Sequence, residues 1–217
     1  MRKALTRDRV LLAAVGIADR DGLPAVTMRR LGAELGVEAM SLYHHLRGKD
    51  ALLDGVAETL IGEVLTAVAA ADGPGGWRVR LRAWFLAARE VMLRHRWGPG
   101  LLNSRATVPF GVLRHYDAII GVMVGDGLSY RIAHRALHAF GSMPLGFVQE
   151  AFSPSGDGGD GGMSAVADRL PHLAAMVASE AHEAELGWCD SQVEFEFTLD
   201  LLLDGLDRAR RSEDPLV

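Results

Sequence analysis

Apolar residues recur along this chain at spacings of three and four, the period of a helix with one buried face, and almost never in sustained alternation. Thr6 is placed to cap a first helix with Val10, Ala14 and Ile17 on one face. Gly22 followed by Leu23-Pro24 ends it, because a residue before proline avoids helical geometry. Thr27 caps a second, short helix with Met28, Leu31 and Leu35 inward, and Gly36 stops it. A third is expected from about Glu38 to Leu46 with Leu42 inward, and "KDALLDGVAETLIGEVL" makes a fourth, striped by Leu53, Val56, Leu60 and Val64.

The break "AAADGPGG" at 69–76 is the best candidate boundary, and beyond it the composition turns aromatic and acidic. Trp77, Leu81, Trp84, Ala88 and Val91 mark one further helix, and "PFGVLRHYDAIIGVMV" and "SYRIAHRALHAFGSMPLGFVQEAF" mark two more. "SPSGDGGDGG" at 153–162 reads as a flexible loop, without the lysine of a phosphate-binding loop or the spacing of a calcium repeat. In the last helix "VEFEFTL" alternates, yet Phe195, Leu199, Leu202 and Leu206 hold helical spacing over three turns, and length decides for helix. The expected fold is all-α, with a helix-turn-helix domain over 1–49, a connecting helix over 50–65 and a larger helical domain over 66–217.

Composition adds limits rather than detail. The chain has 217 residues, 49% apolar and 24% charged, with no apolar run of the roughly 18 residues that a membrane span needs. The start "MRKALTRDRV" is charged and then amphipathic, so neither a secretory signal nor a lipid anchor is expected. Cys189 stands alone, which excludes an intrachain disulfide and fits a reducing, cytoplasmic setting. Only Lys3 and Lys49 are lysines among 23 basic residues, a usage that fits GC-rich bacterial DNA. Charge is uneven: residues 1–49 hold nine Lys/Arg against five Asp/Glu, although the whole chain carries -5. A cationic head on an anionic body points to a polyanion partner for the head, or to an ordinary solvated face.

Two short helices joined through Gly36-Val37-Glu38 make a helix-turn-helix, whose second helix enters the DNA major groove while the first crosses the backbone. The residues around that turn raise the argument above geometry. The stretch "TMRRLGAELGVEAMSLYHHLRGKDALL" resembles the DNA-binding domain of the TetR family of bacterial repressors, over about residues 6–65. Its specific part is the "LY-H" core followed by Lys49 and the Leu52-Leu53 pair. Beyond it, the helical layout and a long helix before a glycine-rich loop look similar.

The resemblance implies a task for each residue, and a plainer one stands beside it. Thr27 and the free amides of the helix beginning at Met28 would hold a phosphate, although capping alone justifies the threonine. Arg29 matches a position that reaches a guanine edge, whereas Arg30 reads as a solvated charge. Ala39 and Met40 lack hydrogen-bonding side chains, so their base contact would be a thymine methyl. The family's tetracycline-binding members look polar at the first of these positions, so their operator does not carry over. Ser41, Tyr43 and His45 would meet phosphates, as would Lys49, and His44 fits a DNA contact and an exposed non-contacting residue equally.

For the larger domain the resemblance implies a ligand pocket opening between helices. Its candidates are Trp84, Phe85, Phe110 and Phe147 for the apolar wall, and Asn103, Arg105, His115, Tyr116, His134 and His138 for polar anchors. Ordinary core packing is the alternative for each apolar one. His134 and His138 also have metal-ligand spacing, but no motif supplies further ligands, so no metal is expected. The tetracycline-binding members hold their drug as a magnesium chelate through a histidine shortly before the position of Pro109. Leu101, Leu102 and Asn103 stand there, so tetracycline itself is not the expected ligand.

The sequence therefore reads as a ligand-responsive repressor, a homodimer on a palindromic double-stranded DNA operator, released by a small apolar or amphipathic effector. The helix from about Ser129 and the stripe Phe195, Leu199, Leu202 and Leu206 would form the dimer interface, with Glu194, Glu196, Asp200, Asp204 and Asp207 on the other side. Burial of that stripe against the chain's own body is the alternative. Two other function classes stand beside this one: a helical carrier or enzyme with an apolar cavity, and a helical adaptor. No nucleophile–base pair, cofactor loop or metal set supports an enzyme, and no cofactor is expected.

Overall fold

The computed structural model describes residues 4–146, 169–172, 174–175 and 191–213, and these contain helices and no strand. In chain order the helices are α1 (Arg7–Asp21), α2 (Met28–Leu35), α3 (Ala39–Leu42), α4 (Lys49–Ala71), α5 (Trp77–Arg94), α6 (Gly98–Asn103), α7 (Phe110–Gly125), α8 (Tyr130–Gly146) and α9 (Ser191–Glu213). Thr6 and Thr27 cap α1 and α2 by accepting the Arg9 and Arg30 amides, each at 3.2 Å. These are two of the donors that a helix's first turn leaves open. Gly36, at φ 67, ends α2 in the left-handed conformation that a side chain makes costly.

The third helix is shorter than its sequence pattern suggests. It stops at Leu42, after which Leu46 donates its amide to the Leu42 carbonyl at 3.0 Å. Both leucines are buried, and Gly48, at φ 98, then redirects the chain into α4.

Two apolar cores share α4. Leu52, Val56 and Ala57 belong to the first, with Val10, Leu11, Ala14 and Ile17 of α1, Leu31 of α2 and Leu42 and Leu46. Leu60, Val64 and Val68 belong to the second, with Trp77, Leu81, Trp84 and Phe85 of α5, Ile119 and Met123 of α7 and Phe140 of α8. The changeover thus falls inside α4, between Ala57 and Leu60. The glycine-rich stretch 69–76 lies instead at the turn between α4 and α5, which line the same core. Asp126, just past α7, accepts the backbone N–H of Trp77 and so caps α5.

A helix that the periodicity did not announce links the cores. α6 starts on Gly98-Pro99, with the proline in its first turn where no hydrogen-bond donor is needed. Its Leu101 is fully buried in the first core, and Trp97 and Leu102 pack against both.

The last helix corrects the expected interface. Phe195 and Leu199 are fully buried, with Leu203, in the chain's own second core, and Leu202 and Leu206 pack partly against it. The acidic side of the helix is not a free solvated face. Arg82 of α5 holds Glu196 at 2.6 Å and Asp200 at 3.0 Å, and Arg78 pairs with Asp204. The apolar residues that α9 leaves exposed are Val193, Phe197 and Leu201, four apart on one face. Periodicity identified a helix with one apolar stripe and an acidic side, and only packing shows that α5 and α8 consume that stripe and leave a second one exposed.

Candidate functional site

α2 and α3 meet closely because Gly32 has no side chain. A Cβ there would lie 2.8 Å from the Val37 carbonyl oxygen and 3.2 Å from the Ala39 nitrogen. The signal in the sequence was a glycine inside a helical run, which costs about 1 kcal/mol without a packing reason. Leu42 and Leu46 anchor the second helix and its following turn in the core, so the outer residues are fixed against the rest of the head.

Those outer residues differ in how far they reach solvent. Met40 is 73% exposed and Tyr43 44%; Thr27, Arg29, His44 and Lys49 are exposed, and Met28, Ala39, Ser41 and His45 are half-buried. Arg30 is no isolated solvated charge, since its guanidinium donates to Asp21 at 2.9 Å. Arg29 and Lys49 have no ion pair among the described residues. Two features escaped the sequence reading. Gly48 lies at the N-terminus of the 23-residue α4 without a side-chain cap, which leaves amides free beside Lys49, and Arg47 is exposed next to it.

The second core is hollow. A cavity of about 220 Å³, open to solvent at its mouth, lies between α4, α5, α7 and α8. Ile61, Val64, Leu65, Phe85, Met92, Val112, Ile119 and Phe140 form its apolar wall, and Asn103, Arg105, Thr107, His115 and Tyr116 its polar points. Phe85 and Phe140 stack with ring centroids 4.6 Å apart.

Five of the expected pocket residues thus come together: Phe85, Asn103, Arg105, His115 and Tyr116. The others do not join them. Trp84 is buried behind the wall, with its indole N–H donated to Asp72 at 3.0 Å. Phe110 is 74% exposed at the start of α7. His134 and His138 lie on the exposed side of α8, with rings edge to face at 4.8 Å. No group of three or more metal-ligating side chains gathers among the described residues. Phe147 lies outside the described residues. The sequence reading missed Ile61, Val64 and Leu65, because an apolar residue that faces a cavity carries the same periodicity as one that faces packed core.

Polar groups around the cavity are unevenly satisfied. Arg105 donates from Nη1 to Asp54 of α4 at 3.0 Å, while its buried Nε finds no partner. The buried Nδ1 of His115 also lacks one, and burial pushes that imidazole below its ordinary 6.5, so it is neutral at pH 7. A separate network ties head to body. The buried His95 meets Asp19 of α1 at 2.8 Å and Glu63 of α4 at 3.0 Å, and Trp97 donates to the same Asp19 oxygen at 2.7 Å. Burial acts to raise the Glu63 carboxyl, but the bonds and charges of Arg94 and His95 outweigh it and hold it below the usual carboxylate range.

Residues 10–56 match the family model for bacterial regulatory proteins of the tetR family, and residues 69–210 match the tetracyclin repressor-like C-terminal domain. The chain is 31% identical over 209 residues to the tetracycline repressor protein class A from transposon 1721 of Escherichia coli, covering 95% of this chain and 92% of that one. It is 42% identical over 127 residues to the HTH-type transcriptional repressor DrrR1 of Streptomyces coeruleorubidus, covering 58% of this chain. That match and one to an HTH-type transcriptional regulator of Saccharopolyspora erythraea span only 42% and 51% of those relatives. Among solved structures, the TetR family protein ActR of Streptomyces coelicolor in complex with (S)-DNPA superposes with a TM-score of 0.74 at 25% identity, covering 95% of this chain and 99% of that one. The helix pair, the hollow second core and both family models agree, and the chain belongs to the TetR family of bacterial regulatory proteins.

Proposed function

We propose that this chain is a transcriptional repressor that binds a palindromic operator as a homodimer and lets go when a small molecule fills the cavity. Residues 1–49 serve as the DNA-binding head, 50–65 as the connecting helix, and 66–217 carry the ligand and dimer surfaces. The observation that carries this reading is the surface of α3 and the turn that follows it. Met40, Tyr43 and His44 stand exposed there, over leucines locked in the core, and Arg29 of α2 and Lys49 of α4 are exposed on the flanking helices. Such a face, cationic and rigid, suits the major groove, with amides at the starts of α2 and α4 for phosphates. ActR's complex with (S)-DNPA supports reading the cavity as a ligand site. The exposed stripe Val193, Phe197 and Leu201 on α9, next to α8, supplies the apolar face for a two-fold partner.

A gel-shift assay with DNA from upstream of the protein's own gene tests the reading. Binding should weaken steeply between about 50 and 200 mM salt, because several cationic and amide contacts per head displace counterions. No shifted band, or a log-log salt slope near zero, overturns it.

A further inference from the structure

Two imidazoles meet on the outer side of α8, where neither the cavity nor the DNA-reading head uses them. His134 and His138 are both exposed, line no part of the cavity and hold their ring centroids 4.8 Å apart, edge to face. They are four residues apart, so the helix sets one about a turn above the other on a single stripe. Two imidazoles that share one tetrahedral ion, each nitrogen at about 2.0 to 2.1 Å, have centroids roughly 5 Å apart. The pair therefore already stands at chelating separation. Rotation of the rings about χ2, a broad torsion in histidine, turns a nitrogen of each toward a common point.

We infer that His134 and His138 chelate one divalent transition-metal ion per chain, of the nickel, copper and zinc class, with its remaining positions open to water. The surroundings select that class. No third His, Cys, Asp or Glu gathers with the pair among the described residues, and Arg131 and Arg135 stand exposed on the same helix. A hard cation such as magnesium or calcium needs oxygen ligands and finds none there. A neutral imidazole binds by donating a lone pair, which suits the softer ions and tolerates cationic neighbours better than an ion pair does. The further ligands that the sequence does not supply are those of a closed, structural site. An open, exchangeable site needs only the two that α8 brings together. The bound ion ties one turn of α8 to the next. Leu137 in that turn, and Phe140 and Gly141 just beyond it, line the cavity from the same helix. The ion thus stiffens the cavity wall from behind.

Calorimetric titration of the full, metal-free chain, without a histidine tag, makes the test, with the chlorides of nickel, copper, zinc and magnesium as probes. One nickel, copper or zinc ion should bind per chain, copper most tightly, and magnesium should not bind. Either His134→Ala or His138→Ala should weaken nickel about tenfold to a hundredfold, because the second imidazole meets an ion that the first already holds nearby. Both positions are exposed and alanine favours helix, so these variants keep the fold. Absence of nickel and zinc binding overturns the inference. So does a nickel affinity that survives both substitutions, since other histidines then hold the ion, and so does equal binding of magnesium. Hydrogen exchange of the α8 amides should slow when zinc is added to the wild type and stay unchanged in the double variant. Unchanged exchange in a zinc-loaded wild type overturns the stiffening of the cavity wall. Neither readout requires DNA, so failure of the gel shift counts against the repressor reading and leaves the metal result standing.

Discussion

Gly32 shows how much a single missing methyl group decides. Adding one carbon places it 2.8 Å from a backbone oxygen of the turn that joins α2 to α3, and a carbonyl in a tight turn cannot swing aside as a flexible side chain can. Gly32→Ala should therefore lower stability by about 1 to 3 kcal/mol, the cost of overpacking, even though alanine favours helix more than glycine. Chemical denaturation measures it, and an unchanged midpoint would show that the turn gives way. The exposed cations make a different kind of claim. Arg29→Ala should cost about 1 to 3 kcal/mol at one or two base pairs of each half-site, because a guanidinium fork reads a guanine edge. Lys49→Ala should weaken all sequences alike and reduce the salt slope by about 1. Binding measured across a panel of single-base variants separates the two, and identical profiles would contradict the assignment.

Among the elements, α6 and α9 do what their composition conceals. α6 has six residues, too few to be a stable helix alone, and is held because Leu101 is buried in the head core. α9 spends one face on its own chain. Phe195, Leu199 and Leu203 enter the core, and Arg82 clamps Glu196 and Asp200 alongside. What remains for a partner is Val193, Phe197 and Leu201. Leu201→Glu should yield a monomer that keeps its helical content, because a carboxylate is not buried cheaply in an apolar interface while the intrachain core is untouched. Operator affinity should collapse with it, since a palindrome is read by two heads. Size-exclusion chromatography with light scattering decides, and a Leu201→Glu dimer with unchanged DNA binding would place the interface elsewhere.

Across the whole molecule, electrostatics tie the two cores together and make the fold sensitive to acid in two stages. The His115 pKa is depressed by burial, so its neutral form contributes stability that is full above the ordinary 6.5 and declines as pH falls through the lower folded value. Glu63, between head and body, and Asp72, which Arg80 and Trp84 hold with hydrogen bonds, are depressed as well. Their contributions are present above their ordinary values of 4.5 and 3.8 and vanish as pH drops through the folded ones. Thermal melts from pH 7 to pH 3 should fall in both windows, and His115→Gln should remove the first decline alone. A melting temperature flat between pH 7 and pH 5 in the wild type would contradict the burial of a neutral His115.

The sequence by itself determined most of the helices and the family to which the helix-turn-helix belongs, because both rest on local chemistry. A threonine cap, a left-handed glycine and spacings of three and four act within one or two turns of chain, and several of the residues proposed to meet DNA stand together in "LYHHLRGKD". The tertiary structure alone decided which apolar residues face a hole rather than a neighbour, which stripe of α9 is spent internally and which histidines point out. Val64 and Val68 are both apolar and both on α4, yet one lines the cavity and both belong to the core. Trp84 and Phe85 are adjacent, and a rotation of about 100° along the helix sends one to Asp72 and the other to the ligand space. Periodicity reports that a face is buried, whereas what it is buried against depends on residues far along the chain. The Arg105–Asp54 bridge spans 51 positions, and no local pattern brings those two together.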